Sequence, residues 1–306
     1  MNSLNPKPET GNPKSERPAW IKAKAPAGEN YSHVRALVDR MNLHTVCQSA
    51  HCPNIGECWH SRTATFMILG NVCTRSCRFC AIETGRPEVV DSQEPERVAR
   101  AVAALGLRHA VITSVTRDDL DDGGAFIFAE TIRRIRELVP ECSIEVLIPD
   151  FNGSADALAE VVRARPDILN HNIETVPRLY PFIRPQAIYE RSINLLRSTK
   201  KIALDMLTKS GIMVGVGEDT QEVLQTMNDL RAAGCDIMTI GQYLRPSAEH
   251  VPIARYYSPD EFEELRKTGL EMGFHHVESG PLVRSSYHAA EQVKSAAISP
   301  NTADPG

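Results

Sequence analysis

The sequence predicts an α/β protein, a partial (β/α)6-type TIM barrel with N-terminal and C-terminal extensions. Three observations predict it. Short β-branched runs alternate with longer helical patterns, which is the signature of a parallel sheet with right-handed crossovers. The alternation gives six strong repeats and a weak seventh, the count of a complete or partial barrel. Helix start and stop signals separate the repeats. A flat doubly wound sheet satisfies the same alternation, and periodicity alone leaves it open.

In chain order, the expected strands are Thr65–Leu69, Ala110–Val115, Ile144–Ile148, Asp167–Ile173, Ser210–Val216, Asp236–Gly241 and, more weakly, Phe274–Glu278. The expected helices are Glu94–Leu105, Ala125–Leu138, Ala155–Ala164, Ile188–Lys200, Thr220–Ala233 and Pro259–Met272. Ser258-Pro259 followed by acidic residues is a helix start. Gly106 and Gly234 stand where helix stops belong. Residues 1–30, rich in prolines and charges, read as a flexible arm, with Trp20-Ile21 the one apolar pair able to dock inside the basic stretch Arg17 to Lys24. The tail beyond Ala290 reads as frayed. The domain division is therefore an arm over 1–30, a cysteine-bearing segment over 31–62, the barrel over 63–282 and a C-terminal extension over 283–306.

The 306 residues carry 34 basic and 39 acidic side chains, a formal net charge of -5, which speaks against a general nucleic-acid binder. No apolar run approaches the roughly 18 residues of a membrane span, and no apolar leader follows the polar Met1 to Thr10, so a cytoplasmic location and no membrane partner are expected. Six of the eight cysteines lie between Cys47 and Cys80. In a chain without a secretory leader, such clustering points to metal chemistry rather than disulfides. Cys142 and Cys235 stand apart and read as buried structural thiols.

Cys73, Cys77 and Cys80 form C-x3-C-x2-C, four residues beyond the first strand and hence at the barrel mouth. Three thiolates so spaced hold three irons of a [4Fe–4S] cluster and leave the fourth open to an exchangeable ligand. A zinc knuckle completed by His60 is the alternative. Cys47, Cys52 and Cys58 form a second triplet, C-x4-C-x5-C, with a structural zinc site through His51 as its alternative.

The first of these spacings, with Phe79 before the last cysteine, resembles the signature of the radical S-adenosylmethionine superfamily. That resemblance implies a methionine moiety on the open iron and a 5′-deoxyadenosyl radical. Both triplets together resemble one family within it, the lipoyl synthases, from about Trp20 to His288. The likeness runs through Thr63 to Gly70, Arg117 to Gly124, Asn170 to Val176, Lys209 to Glu218, Gly241 to Ser247 and the ending Arg284-Ser-Ser-Tyr287. It implies two [4Fe–4S] clusters and S-adenosyl-L-methionine as cofactors. The auxiliary cluster falls to Cys47, Cys52, Cys58 and Ser285, with Ser286 as the other choice; in the absence of the resemblance both serines read as backbone caps.

The activity implied is sulfurtransfer: two sulfur atoms placed at C6 and C8 of a protein-bound octanoyl-lysine, supplied by the auxiliary cluster. The implied partners are octanoylated lipoyl carrier domains (2-oxoacid dehydrogenase E2 subunits and glycine cleavage H protein), a flavodoxin or ferredoxin-type reductant, and iron–sulfur carrier proteins. An unactivated C–H bond has no acidic proton, so no catalytic acid or base is assigned beyond the cluster ligands. Lys22 and Lys24 are the candidates for docking the carrier.

Asn170, Asn172 and Glu174 alternate along the fourth strand and share a face. Asn172 and Glu174 are expected to face adenosylmethionine; a hydrogen-bond network inside the barrel is the alternative. Gly123 and Gly124 are expected either to let that ligand approach the backbone or to form a turn. Gly215-Val216-Gly217 is a weak nucleotide signal, Asp118, Asp119, Asp121 and Asp122 read as a solvated acidic loop, and His275-His276 face opposite ways.

Overall fold

The computed structural model describes residues 17–61, 63–289 and 291–292. The polar start Met1 to Thr10 and the tail beyond Gln292 lie outside the described residues.

Seven parallel strands form the body: β1 (Thr65–Ile68), β2 (His109–Ser114), β3 (Ser143–Leu147), β4 (Ile168–Asn170), β5 (Leu207–Val214), β6 (Ile237–Gln242) and β7 (His276–Gly280). They lie side by side in sequence order, each hydrogen-bonded to the next. A doubly wound sheet reverses its order at a switch point; this one never does, so the flat alternative is excluded. Among the described residues β1 and β7 do not pair, and the barrel stays open. β1, β2 and β6 are buried along almost their whole length, as parallel strands covered by helices must be, while β7 at the edge is mostly half-buried.

The expected helices form close to where the sequence places them, Glu94–Leu105 and Ala125–Leu138 residue for residue. Capping boxes at Asp219 with Glu222 and at Ser258 with Glu261 start two of the others. Gly106 ends the first in the left-handed conformation. The fourth strand is shorter than expected: it stops at Asn170, and Glu174 turns to φ +66 before one isolated bridge to Ile212.

The segment before the barrel contains a helix, Glu29–Arg40, that the sequence reading did not register. Upstream of it, Ile21 is buried while Trp20 stays half exposed, so the docking expected of the pair falls to Ile21. His44–Thr45 then pairs antiparallel with β1, filling the barrel's open edge. Thr45 caps the short helix Val46–Ser49 by accepting from the Gln48 N–H, which fixes where Cys47 begins. Among the described residues, no helix is long and apolar enough to cross a membrane.

Candidate active site

The second cysteine triplet occupies the loop after β1, held down by the loops of its neighbours at the C-terminal face of the barrel. Thr74 donates its N–H and its hydroxyl to Thr116 O at 3.0 Å each. Arg78 N–H donates to Ile183 O at 2.9 Å, and Ser76 N–H to Gln186 Oε1 at 3.0 Å. His250 Nε2 lies 3.0 Å from Cys80 O. Cys73 Sγ accepts from the Thr116 N–H at 3.3 Å. Every one of these anchors belongs to a loop following β2, β4 or β6, so strand ends far apart in sequence jointly shape one loop. Phe79 packs on the core beneath it.

Beside this loop stand the residues after β4. Asn172 Nδ2 donates to Glu174 Oε1 at 3.1 Å. Burial raises the Glu174 carboxyl above its ordinary value, against the pull of Arg184 and Arg284. Arg184 donates to the carbonyls of Asn172 and Ile173 at 3.1 and 3.2 Å and lies against Cys77. Its Nε and the Oδ1 of Asn172 are buried without a partner. Asn170 is separated from this group: its amide donates to Glu145 Oε1 at 2.9 Å, inside the barrel, where Lys209 Nζ donates to the same carboxylate at 2.9 and 3.0 Å. Burial alone would raise Glu145; Lys209 and then His109 outweigh it and hold the carboxyl at about 2. The three residues expected on one face thus divide, Asn170 joining a structural network and Asn172 pairing with Glu174, whose charge acts on Cys77 and Cys80. The early end of β4 and the left-handed Glu174 are the reason.

The first triplet lines a single cavity together with Asn54, Thr65, Arg284, Ser286 and Tyr287. The C-terminal extension is stitched to this segment at several points. Asn54 Nδ2 donates to Leu282 O at 2.7 Å, Thr65 Oγ1 to Ser286 Oγ at 2.9 Å, and Tyr287 OH to Glu57 Oε1 at 3.3 Å. Ser285, the serine expected to face the cysteines, is not among the residues lining the cavity; Ser286 is. Residues 285–288 form turns, and of the two serines only Ser286 lines the cavity, with Tyr287 after it. The extension crosses the end of β6 so closely that a Cβ on Gly241 would sit 2.2 Å from Val283 O. Arg284, next in the chain, lines the same cavity beside Cys52; burial lowers its pKa, against the pull of Cys52 and Glu174.

Burial pushes thiols in each triplet up: Cys47 to about 11, Cys58 and Cys80 to about 12, with Cys52 and Cys77 also raised. Such groups remain neutral thiols at ordinary pH unless a cationic centre takes them as thiolates. Among the described residues no three His, Cys, Asp or Glu side chains converge on a single-ion position. His51 and His60 are both exposed, and neither lines the cavity. The donor sets fit clusters: three thiols with an unmet donor and acceptor beside them at the barrel mouth, and three thiols with a hydroxyl in the cavity.

The remaining expectations divide. Gly123 and Gly124 serve the turn before Ala125–Leu138: Asp122 accepts from the N–H groups of Gly124 and Phe126, and a Cβ on Gly124 would meet Leu69 at 2.2 Å. Gly215 and Val216 N–H groups wrap the Glu218 carboxylate at 2.6 and 3.0 Å, so that glycine pair forms a local turn. The acidic loop is not simply solvated, since Asp118 pairs with Arg75 and Asp119 with Arg117. Cys142 and Cys235 are fully buried thiols facing backbone carbonyls. His276 pairs with Glu278 at 3.2 Å.

Known proteins match the same regions. The profile of the Radical SAM superfamily matches residues 67–230, and that of the N-terminal domain of lipoyl synthase of the Radical SAM family matches residues 4–52. Over 280 residues the chain is 63% identical to the lipoyl synthase of Rubrobacter xylanophilus, covering 92% of this chain and 87% of that protein. Over 279 residues it is 59% identical to the lipoyl synthase of Koribacter versatilis, covering 91% and 92%. The chain belongs to the lipoyl synthase family.

Solved structures agree at the level of fold. HydG, a maturase of the [FeFe]-hydrogenase, is similar with a TM-score of 0.56 at 14% identity, covering 75% of this chain and 54% of that chain. SuiB of Streptococcus suis bound to S-adenosylmethionine is similar with a TM-score of 0.53 at 10% identity, covering 80% and 53%. Membership in the lipoyl synthase family brings with it an iron–sulfur cluster and adenosylmethionine as cofactors and an enzyme of the sulfurtransferase class. Three residues of the site escaped the sequence reading: Arg184, Arg284 and Arg75. Arg75 lies between Cys73 and Cys77 and Arg284 opens the C-terminal motif, but an arginine gives no hint in sequence of whether it is buried.

Proposed function

We propose that this chain inserts two sulfur atoms, at C6 and C8, into an octanoyl group amide-linked to a lysine of a lipoyl carrier domain. The observation that carries this reading is the gathering of Cys47, Cys52 and Cys58 with Arg284 and Ser286 of the C-terminal extension around one cavity, in a chain whose other cysteine triplet sits at the C-terminal ends of the barrel strands.

Cys73, Cys77 and Cys80 would hold the cluster with the open iron; Cys47, Cys52, Cys58 and Ser286 would hold the auxiliary one. When bound, the first with adenosylmethionine supplies a hydrogen-abstracting 5′-deoxyadenosyl radical, and the second supplies sulfur. The protein's own part is positional. Arg184, with its Nε free of partners, suits the methionine carboxylate, and Asn172 with Glu174 suits the amine and ribose side. A serine oxygen is a harder ligand than thiolate, which suits a corner that must give up iron. Thr65 steadies that oxygen by donating to it, which occupies one lone pair and leaves the other for a ligand.

The division into an auxiliary segment over 31–62, a barrel over 63–282 and an extension over 283–306 follows from this reading. So do its partners: E2 subunits or H protein as carriers, a flavodoxin or ferredoxin-type reductant, iron–sulfur carriers for rebuilding, and a cytoplasmic setting.

An anaerobic single-turnover assay with dithionite, adenosylmethionine and an octanoyl-lysine peptide, read by mass spectrometry with iron and sulfide counted in the same sample, tests it. Sulfur addition with loss of iron from the auxiliary site is expected. Deoxyadenosine without sulfur addition would overturn the substrate, and no deoxyadenosine would overturn the radical assignment.

A further inference from the structure

Between Cys73 and Cys77 the chain places an arginine whose side chain turns inward, under the loop, instead of outward to water. Arg75 is 5% exposed. Its Nε and Nη2 donate to the two oxygens of Asp118 at 2.7 and 2.8 Å, a bidentate pair. Nη2 also donates to Asp150 Oδ1 at 2.7 Å and to Asn152 Oδ1 at 2.8 Å. Asp118 follows β2, and Asp150 and Asn152 follow β3, so one guanidinium ties the cysteine loop to two neighbouring strand ends.

The receiving cup is itself built to stay in place. Asn152 Nδ2 donates to Asp118 Oδ1 at 2.9 Å, and Arg191 Nη1 donates to Asp150 Oδ2 at 3.1 Å. Two cations face two carboxylates, so the buried charge is balanced. Phe151 and Asn152 both adopt left-handed backbone, at φ +45 and +52. Two consecutive non-glycine residues hold that conformation only where surrounding bonds over-determine it. None of these bonds involves the segment that carries Cys47, Cys52 and Cys58.

We propose that Arg75 is a positioning residue for the cluster at the barrel mouth: clamped by Asp118, Asp150 and Asn152, it holds Cys73 and Cys77 in receiving geometry before any iron binds. It acts on that site and leaves the auxiliary site alone. A lysine cannot substitute, because a compact ammonium on a flexible stem lacks the planar fork that engages Asp118 through two nitrogens while reaching Asp150. The inference rests on the assignment of Cys73, Cys77 and Cys80 as cluster ligands.

The test uses the full chain, reconstituted anaerobically, as wild type, Arg75→Lys, Arg75→Gln and, as a milder change that keeps the arginine, Asp118→Asn. Iron and sulfide are counted per chain, iron release to a chelator is followed in time, and the dithionite-reduced protein is examined by electron paramagnetic resonance with and without adenosylmethionine. In the Arg75 variants, iron should fall by about half, because one of two clusters is lost or labile. The adenosylmethionine-induced change in the spectrum should disappear, while the auxiliary cluster remains as the internal mark of a folded chain. Asp118→Asn should show the same site-selective release, more slowly. Full iron, wild-type release and a wild-type spectrum in all variants would sink the clamp alone. Parallel loss from both sites would also sink it, since the effect would then be a general one. A wild-type chain holding a single cluster would sink the ligand assignment and the clamp with it.

Discussion

Thr65 and Ser286, 221 residues apart, share a hydrogen bond of 2.9 Å in which the threonine hydroxyl donates to Ser286 Oγ. Thr65 opens β1 and Ser286 sits in the C-terminal turn, so the bond joins the first barrel strand to the C-terminal extension at the cavity of Cys47, Cys52 and Cys58. Of the two adjacent serines, Ser286 is the one that lines this cavity.

Ser286→Ala should therefore lower sulfur insertion by about tenfold or more, equivalent to ~1.4 kcal/mol of lost stabilisation, while deoxyadenosine formation continues. Ser285→Ala should stay within about twofold of wild type, since that side chain does not line the cavity. Single-turnover product counts for the two variants decide it; the reverse ranking would return the role to Ser285.

Lys209 and Glu145 are both wholly buried and paired at 2.9 Å. Removing one partner leaves a buried charge without its counterion, so Lys209→Met should destabilise the chain by about 3–5 kcal/mol. The double variant Lys209→Met/Glu145→Leu should recover a large part of that loss. Urea unfolding of the three proteins at one pH checks this, and a double variant no better than the single would show that the pair is not the source.

His171 is buried between Ile148 O at 2.8 Å and Ser192 Oγ at 2.9 Å. Burial, reinforced by the Arg184 charge, lowers its pKa from 6.5 to about 4. Below pH 6.5 the unfolded chain binds a proton that the folded chain refuses, so this contribution to stability is complete above 6.5 and declines as pH falls toward 4. The slope approaches about 1.4 kcal/mol per pH unit within that window. His171→Gln should flatten the slope; an unchanged pH dependence between 6.5 and 4 would assign it to other groups.

Lys24 already pairs with Glu57 at 3.6 Å, next to Cys58, so Lys24→Glu would break that ion pair as well as change the surface charge. Lys22 is exposed and makes the cleaner probe of carrier docking. Lys22→Glu should raise the KM for an octanoylated carrier domain by about twofold to fivefold, in keeping with ~0.5–1 kcal/mol for one exposed charge, and leave the free octanoyl-lysine peptide unaffected. Equal KM values for both substrates would remove the arm from carrier recognition.

The barrel was legible because its cause is local. Strand and helix periods, the capping boxes at Ser258 and Asp219 and the stop at Gly106 each act over a few residues, and the structure reproduces them. Glu29–Arg40 escaped because its single buried stripe, Val34, Leu37 and Val38, sits in a segment dominated by prolines and charges upstream. The glycines Gly123 and Gly124 were legible as special backbone, yet their reason, the bulk of Leu69 and Phe151, lies in other loops.

The sequence by itself determined the chemistry that short spacings carry: two three-cysteine sets, each within about a dozen residues. Tertiary structure alone decided which serine reaches the cavity, that Asn170 pairs with Glu145 while Asn172 pairs with Glu174, and that Arg75 turns inward to Asp118 and Asp150. The physical reason is sequence separation. Cysteines a few residues apart stay close in nearly any loop, whereas an arginine 43 and 75 residues from its carboxylates meets them only after the strand ends that carry them have assembled side by side.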